Sequence, residues 1–221
     1  MAAREGEILQ LLGNQTYRAH GWDDQRSWLT LHWINGTSLW NALHQTQDDI
    51  TTKNHLLAMT AAAARELADL HAAGWVHGDL QPDHIIFGGD RTHLIDLACA
   101  QEPADVPCYV HRGGLAHTTA PEIADLILSS DDHVMTTPQA DIWSLGASLW
   151  WSWTRTTPII YTNPTAGRTA LLSDICALRR HPDPAALRPW PFPAFEQTVM
   201  ACLAADPQDR PTAKELATSL P

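Results

Sequence analysis

Two aspartates, Asp79 and Asp96, stand near the start and at the end of VHGDLQPDHIIFGGDRTHLID, the stretch from Val76 to Asp96. Asp79 lies in a short polar loop after an alanine-rich helical segment. The apolar run Ile85 to Phe87 follows, then a Gly-Gly-Asp turn, then a second run, His93 to Ile95, that ends on Asp96. Two short runs around such a turn predict a β-hairpin. A hairpin of this kind can hold two carboxylates at one mouth, one near a hydroxyl nucleophile and one near a metal. Phosphoryl transfer needs such a pair, because its catalysis is positioning plus neutralisation of charge.

HGDLQPDH, from His77 to His84, resembles the catalytic loop of the protein kinase family, usually written HRDLKPxN. Asp96-Leu97-Ala98 falls where that family has DFG, and Ala120-Pro121-Glu122 matches its APE motif. Asp141 to Gly146 (DIWSLG) is similar to the start of the family's large central helix, and Asp209-Arg210-Pro211 to its last motif. The order and spacing of these motifs make the resemblance specific, whereas HGD alone also occurs in small-molecule kinases. It runs from about Ala3 to the C-terminus.

The resemblance implies roles. Asp79 would accept or orient the proton of the acceptor hydroxyl; its plain alternative is a loop aspartate satisfied by backbone N–H groups. Asp96 would bind Mg²⁺ (or Mn²⁺) bridging the phosphates of ATP; its alternative is a strand-end turn residue. Leu31, His32, Trp33 and Ile34 fall at the hinge between the lobes, where backbone groups would hydrogen-bond adenine. Glu5 would pair with a lysine on a preceding strand, or else be a solvated helix-start carboxylate favouring the macrodipole. Glu122 and Arg210 would form a structural ion pair, and Asp141 would hydrogen-bond the backbone of the catalytic loop.

The departures carry as much information. Gly78 replaces the arginine that couples the loop to a phosphorylated activation segment, which argues against control of that kind. Gln81 replaces a lysine that steadies the γ-phosphate, keeping a donor and losing the charge. His84 stands where an asparagine binds a second Mg²⁺, and imidazole suits a hard octahedral cation poorly; a transition-metal site on His84 and Asp96 is the alternative. Leu115 stands where Ser/Thr kinases often place a threonine. The chain's only lysines, Lys53 and Lys214, fall too late to supply the partner of Glu5. Removing one preorganised charge typically costs about 10²–10³ in rate, so weak catalysis is expected.

Other elements must position these groups. Ala2 to Leu12 reads as a helix stopped by Gly13, with Ile8, Leu9 and Leu12 on one side. Thr16 to His20 and Ser27 to Trp33 read as strands around Asp23-Asp24. Ser38 is a fair N-cap for a short helix through Leu43. Leu56, Met59, Ala63, Leu67 and Leu70 give a helix from about Thr52 to Ala73 one continuous apolar face, and Gly74 ends it. Asp96 to Glu122, with Thr118 and Thr119 near its end, is a long loop matching the activation segment. A buried helix over Asp141 to Trp153 and three further helices, with proline-rich turns from Pro182 to Pro193, complete the reading.

Composition narrows the field. A chain of 221 residues with 44% hydrophobic and 18% charged residues can bury a sizeable core. Its net charge of −11 argues against a nucleic-acid partner and against an anionic membrane surface. The four cysteines, Cys99, Cys108, Cys176 and Cys202, lack C-x-x-C spacing and read as free thiols in a reducing, cytoplasmic setting. The apolar stretch Ile142 to Trp153 is too short to span a bilayer.

The expectation is therefore an α+β, protein kinase-like fold. Residues 1–34 form a partial N-lobe of one helix and a two-strand hairpin, without the glycine-rich loop and first three strands. Residues 35–221 form a mostly helical C-lobe. The expected activity is transfer of the ATP γ-phosphate to a Ser/Thr hydroxyl of a protein, impaired in this chain alone. A catalytically inactive pseudokinase acting as a binding or regulatory module is the alternative. A small-molecule kinase is a weaker one, opposed by Ala120-Pro121-Glu122 and Arg210. Expected partners are a protein substrate or regulator and a chain that completes the N-lobe sheet, whose open edge invites pairing.

Overall fold

Helix α1, Ala2–Leu11, buries Ala3, Ile8 and Leu9, the side its apolar spacing predicts, and Gly13 follows it at φ +60°. The computed structural model describes residues 1–44, 46, 48–89, 91–102, 110–181 and 184–220. Asp90, Cys108, Pro182 and part of the expected activation segment lie outside these. Helix α1 packs on an antiparallel pair, β1 (Tyr17–Trp22) and β2 (Ser27–Leu31). The contact is close because a Cβ on Gly6 would come within 2.3 Å of His20. The Asp23 carboxylate closes the turn by accepting the N–H groups of Gln25 and Arg26, each at 2.9 Å.

A second sheet has the order β3-β4-β5. Its β4 (Ile85–Gly88) and β5 (Arg91–Leu94) are the expected hairpin. The sequence reading did not include β3, Gly36–Ser38, which pairs with the free edge of β4. Two glycines make that pairing possible: Gly36 lies opposite Gly88, and a Cβ on Gly36 would meet the Phe87 carbonyl at 2.5 Å. Ser38 then caps α2, Leu39–Ala42, as expected.

The larger body is helical. Helix α3, Ile50–Ala72, is capped by Asp49, which accepts the Thr52 N–H at 2.9 Å. Its buried face includes Leu56, Met59, Leu67 and Leu70, with Ala61, Ala63 and Ala64 also buried. The sequence reading missed α4, Pro121–Ser129, although Ile123, Ala124 and Ile127 form its buried face. Helix α5, Pro138–Thr154, begins three residues before Asp141 because Thr137 caps it. It is apolar nearly all round and forms the centre of the body, with Trp143, Trp150 and Trp153 buried. Helices α6 (Arg168–Cys176), α7 (Pro193–Cys202) and α8 (Ala213–Ser219) are the three further helices expected.

Arg210 and Glu122 form the expected ion pair, bidentate at 2.6 and 2.8 Å. The Arg210 side chain is fully buried, donates also to the carbonyls of Gln139 and Ala204, and lies over Trp143. Cys176 and Cys202 are free thiols. Among the described residues, no helix is long and apolar enough to cross a membrane.

Candidate active site

The loop carrying Asp79 is held from beneath by α5. Buried Asp141 accepts the backbone N–H of His77 at 2.7 Å and of Gly78 at 3.0 Å, and His71 donates to it at 3.0 Å. This is the role expected of Asp141. A two-way bridge between Val76 and Gln101 pins the start of the loop.

His77, to which the sequence reading gave no separate role, ties the two aspartates' segments together. Its Nε2–H donates to the Ile95 carbonyl at 3.1 Å, which leaves Nδ1 to accept the Asp79 N–H at 3.4 Å. Burial holds its pKa below the ordinary histidine value, although Asp141 pulls the other way. Gly78 has φ +76°, and a Cβ there would meet the Cys99 carbonyl at 2.7 Å. An arginine is therefore excluded by backbone geometry as well as absent.

Asp79 faces the segment that the sequence reading took as the activation segment. Its Oδ1 accepts the Leu115 N–H at 2.8 Å, and its Oδ2 accepts from Gln81 at 3.4 Å. Gly114 lies so close that a Cβ would sit 1.9 Å from Oδ1. Arg168, at the start of α6, donates to the carbonyls of Gly114 and Arg112 and holds this segment in place. Arg168 lies far downstream of Asp79 in sequence, and no local motif points to it. The Thr118 and Thr119 hydroxyls both donate to the Leu115 carbonyl, and both residues are buried.

Asp96 takes a left-handed backbone conformation, φ 58°, and its side chain is half-exposed. His84 connects it to the loop that carries Asp79: Nδ1 bonds the Asp79 carbonyl at 2.9 Å, and Nε2 lies 3.5 Å from Asp96 Oδ2. Since a carbonyl only accepts, Nδ1 carries the proton, and Nε2 is the nitrogen that faces Asp96.

Glu5 is neither paired with lysine nor solvated. It is half-buried and accepts the Leu97 N–H at 3.2 Å. Burial first, and Asp96 second, raise its pKa. Lys53 instead pairs with Asp48, and Lys214 sits on α8. The Glu5 carboxylate thus meets a backbone N–H at the Asp96–Leu97 turn. The run Leu31 to Ile34 links β2 to β3. The His32 N–H donates to the Thr16 carbonyl at 2.7 Å, which occupies it, while Trp33 is 91% exposed.

A family model described as "Protein kinase domain" matches residues 7–219. The chain is 25% identical over 196 residues to serine/threonine-protein kinase 16 of Rattus norvegicus, covering 84% of this chain and 62% of that protein. It is 28% identical to the probable serine/threonine-protein kinase PkwA of Thermomonospora curvata, covering 87% of this chain and 24% of that one. It is 31% identical to serine/threonine-protein kinase mos of Xenopus laevis, covering 69% and 44%. The chain thus spans less than two thirds of the length of each of these relatives.

Proposed function

The chain belongs to the protein kinase family, and on that footing we propose that it transfers the γ-phosphoryl group of ATP to a Ser or Thr hydroxyl of a protein, with reduced catalytic power. The observation that carries this reading is the frame around Asp79. Asp141 holds the loop backbone, His77 and His84 link the loop to Ile95 and Asp96, and the carboxylate points at the segment where a polypeptide acceptor would dock. Asp79 would orient the acceptor hydroxyl and take its proton, and Gln81 beside it would donate to the transferred group. Reduced power follows from Gln81 lacking a charge and from Glu5 binding a backbone N–H in place of a lysine.

The family generally uses ATP with Mg²⁺. The backbone of Leu31 to Ile34 would receive adenine, less the His32 N–H. Asp96 suits Mg²⁺ as a ligand, but His84 does not, so the donor pair as a whole does not fit that ion. We also read residues 1–34 as a small lobe and 35–221 as a large one, dividing between β2 and β3. Additional strands would pair with the two-stranded β1–β2 sheet, where Trp22 and Trp28 are exposed. The net charge of −11 and the free thiols support a cytoplasmic setting without nucleic-acid partners.

A second reading, an inactive binding module, is favoured by one observation: both Asp79 carboxylate oxygens already have donors, and Gly114 packs on the group. Thermal-shift titration with ATP and Mg²⁺ or Mn²⁺, beside phosphate incorporation into generic protein substrates, separates the two. A shift with incorporation that Asp79→Asn abolishes supports the enzyme. A shift without incorporation supports the module. With neither, the phosphoryl-transfer reading is overturned.

A further inference from the structure

We propose that Thr136 and Asp79 share one buried water molecule, and that through it Thr136 is a positioning residue for the acid. The positioning role rests on reading Asp79 as the group that takes the acceptor's proton. The water site itself rests on geometry alone.

A cavity of about 20 Å³ lies beside Asp79, and Thr136, Gly78, Gly113 and Gly114 are among its walls. About 10–15 Å³ suffices for one water, provided that polar groups surround it. Glycine at position 78 keeps this space open, because a Cβ there would project to 3.7 Å from Thr136 Oγ1.

The Thr136 hydroxyl is the group that calls for a partner. Thr136 is 8% exposed, and its Oγ1 has no hydrogen-bond partner among the described residues. The other polar side chains on the wall are engaged. Thr118 and Thr119 donate to the Leu115 carbonyl, and Ser144 donates to those of Thr118 and Ala140. Asp141 accepts from His71, His77 and Gly78. Burying an unpaired hydroxyl is unfavourable, and a water removes that cost.

Asp79 can take a further donor. Each carboxylate oxygen has two acceptor sites, while Oδ1 meets Leu115 and Oδ2 has only the 3.4 Å contact from Gln81. The water accepts from the Thr136 hydroxyl and donates to Asp79, since an ionised carboxylate only accepts.

Thr136 is also held in the same frame as the acid. Its N–H donates to the Gln101 side chain at 2.9 Å, and buried Gln101 pairs in both directions with Val76, where the Asp79 loop begins. A water between hydroxyl and carboxylate therefore fixes the side-chain angle of Asp79, which the long Gln81 contact does weakly.

The test compares the full chain with Thr136→Val, which removes the hydroxyl, and Thr136→Ser, which keeps one. High-resolution crystal structures should show a solvent peak within about 2.5–3.0 Å of both Thr136 Oγ1 and an Asp79 carboxylate oxygen. It should be lost in Thr136→Val and kept in Thr136→Ser. A misplacement of about 1 Å can cost about 10²-fold in rate, so the smaller swing of one side chain in Thr136→Val should lower kcat about tenfold. KM should stay unchanged, and Thr136→Ser should recover the rate. Urea denaturation establishes that each variant is folded. Absence of the peak in the parent overturns the water site. An Asp79 carboxylate in the same place, or an unaltered kcat, in folded Thr136→Val overturns the positioning role and leaves Thr136 a packing residue. If the parent itself transfers no phosphate, the kinase reading falls, while the peak and the Asp79 carboxylate position still decide this proposal.

Discussion

Asp79 Oδ1 accepts the backbone N–H of Leu115 at 2.8 Å, so the acid proposed for catalysis is positioned by the segment proposed to receive the substrate. Family resemblance places a threonine hydroxyl at the Leu115 position. Here a main-chain donor stands beside the carboxylate, and it is available only because residue 114 has no side chain.

Gly114→Ala should therefore separate binding from transfer. The added methyl group would fall 1.9 Å from Oδ1 and force Asp79 or the Leu115 backbone aside. A misplacement of about 1 Å can cost about 10²-fold in rate. Phosphate incorporation should fall by about that factor, with nucleotide-dependent thermal shift retained. Unchanged incorporation would show that the contact does not position the acid.

Gly78→Arg would restore the family's usual residue at a position that cannot accept it. With φ +76° and the Cys99 carbonyl 2.7 Å from the new Cβ, the variant should lose stability rather than gain phosphorylation control. A left-handed non-glycine residue costs of order 1–3 kcal/mol before the clash is counted. Urea denaturation of the variant against the parent measures it.

Glu122→Ala should be among the most destabilising single substitutions in the chain. It strands the fully buried Arg210 guanidinium without its carboxylate. Removing one partner of a buried pair costs about 3–5 kcal/mol. The exposed pair Arg26–Asp23 provides the contrast: with side chains 79% and 51% exposed, Arg26→Ala should leave the denaturation midpoint nearly unchanged.

Stability should fall on acidification from pH 6.5 toward 4. Burial, aided by His133, Arg168 and Arg4, pushes the His111 pKa down from 6.5 to about 4, and burial also lowers those of His77 and His117. A depressed folded-state pKa means that the unfolded chain binds more protons in this window. The stability associated with the neutral ring is present above 6.5 and is lost as pH falls toward the folded value. For His111 that is at most on the order of 3 kcal/mol. Glu5 acts in the opposite sense nearer 4.5, because its pKa is raised. Urea denaturation at pH 7.5, 6 and 5 should show the decline, and His111→Asn should flatten it. A parent curve that is level over this range contradicts the assignment.

Several features were legible without coordinates because they depend on local order along the chain. The hairpin of β4 and β5 follows from two short runs around adjacent glycines, and α1 and α3 follow from apolar spacing and from the glycines that stop them. The roles of Asp141, Glu122 and Arg210 came from motif resemblance, and hydrogen bonds in the expected places realise them. Less was legible where one segment is completed by another. Helix α4 went unread because the long loop was taken to end at Glu122 and the short apolar face that follows was assigned to no element, while Pro121 reads as punctuation as readily as a first helical residue. Strand β3 is three residues long and forms only because β4 offers an edge with Gly88 opposite Gly36.

The amino-acid order by itself determined the family, the helical body and the identity of the two aspartates, since each rests on residue type and spacing over short distances. Tertiary structure alone decided what surrounds those acids: Leu115 and Gly114 against Asp79, Leu97 in place of a lysine on Glu5, and the proton of His84 placed so that Nε2 faces Asp96. Such facts depend on directional hydrogen bonds and sub-ångström clearances between residues far apart in the chain, and spacing along a sequence contains no record of either.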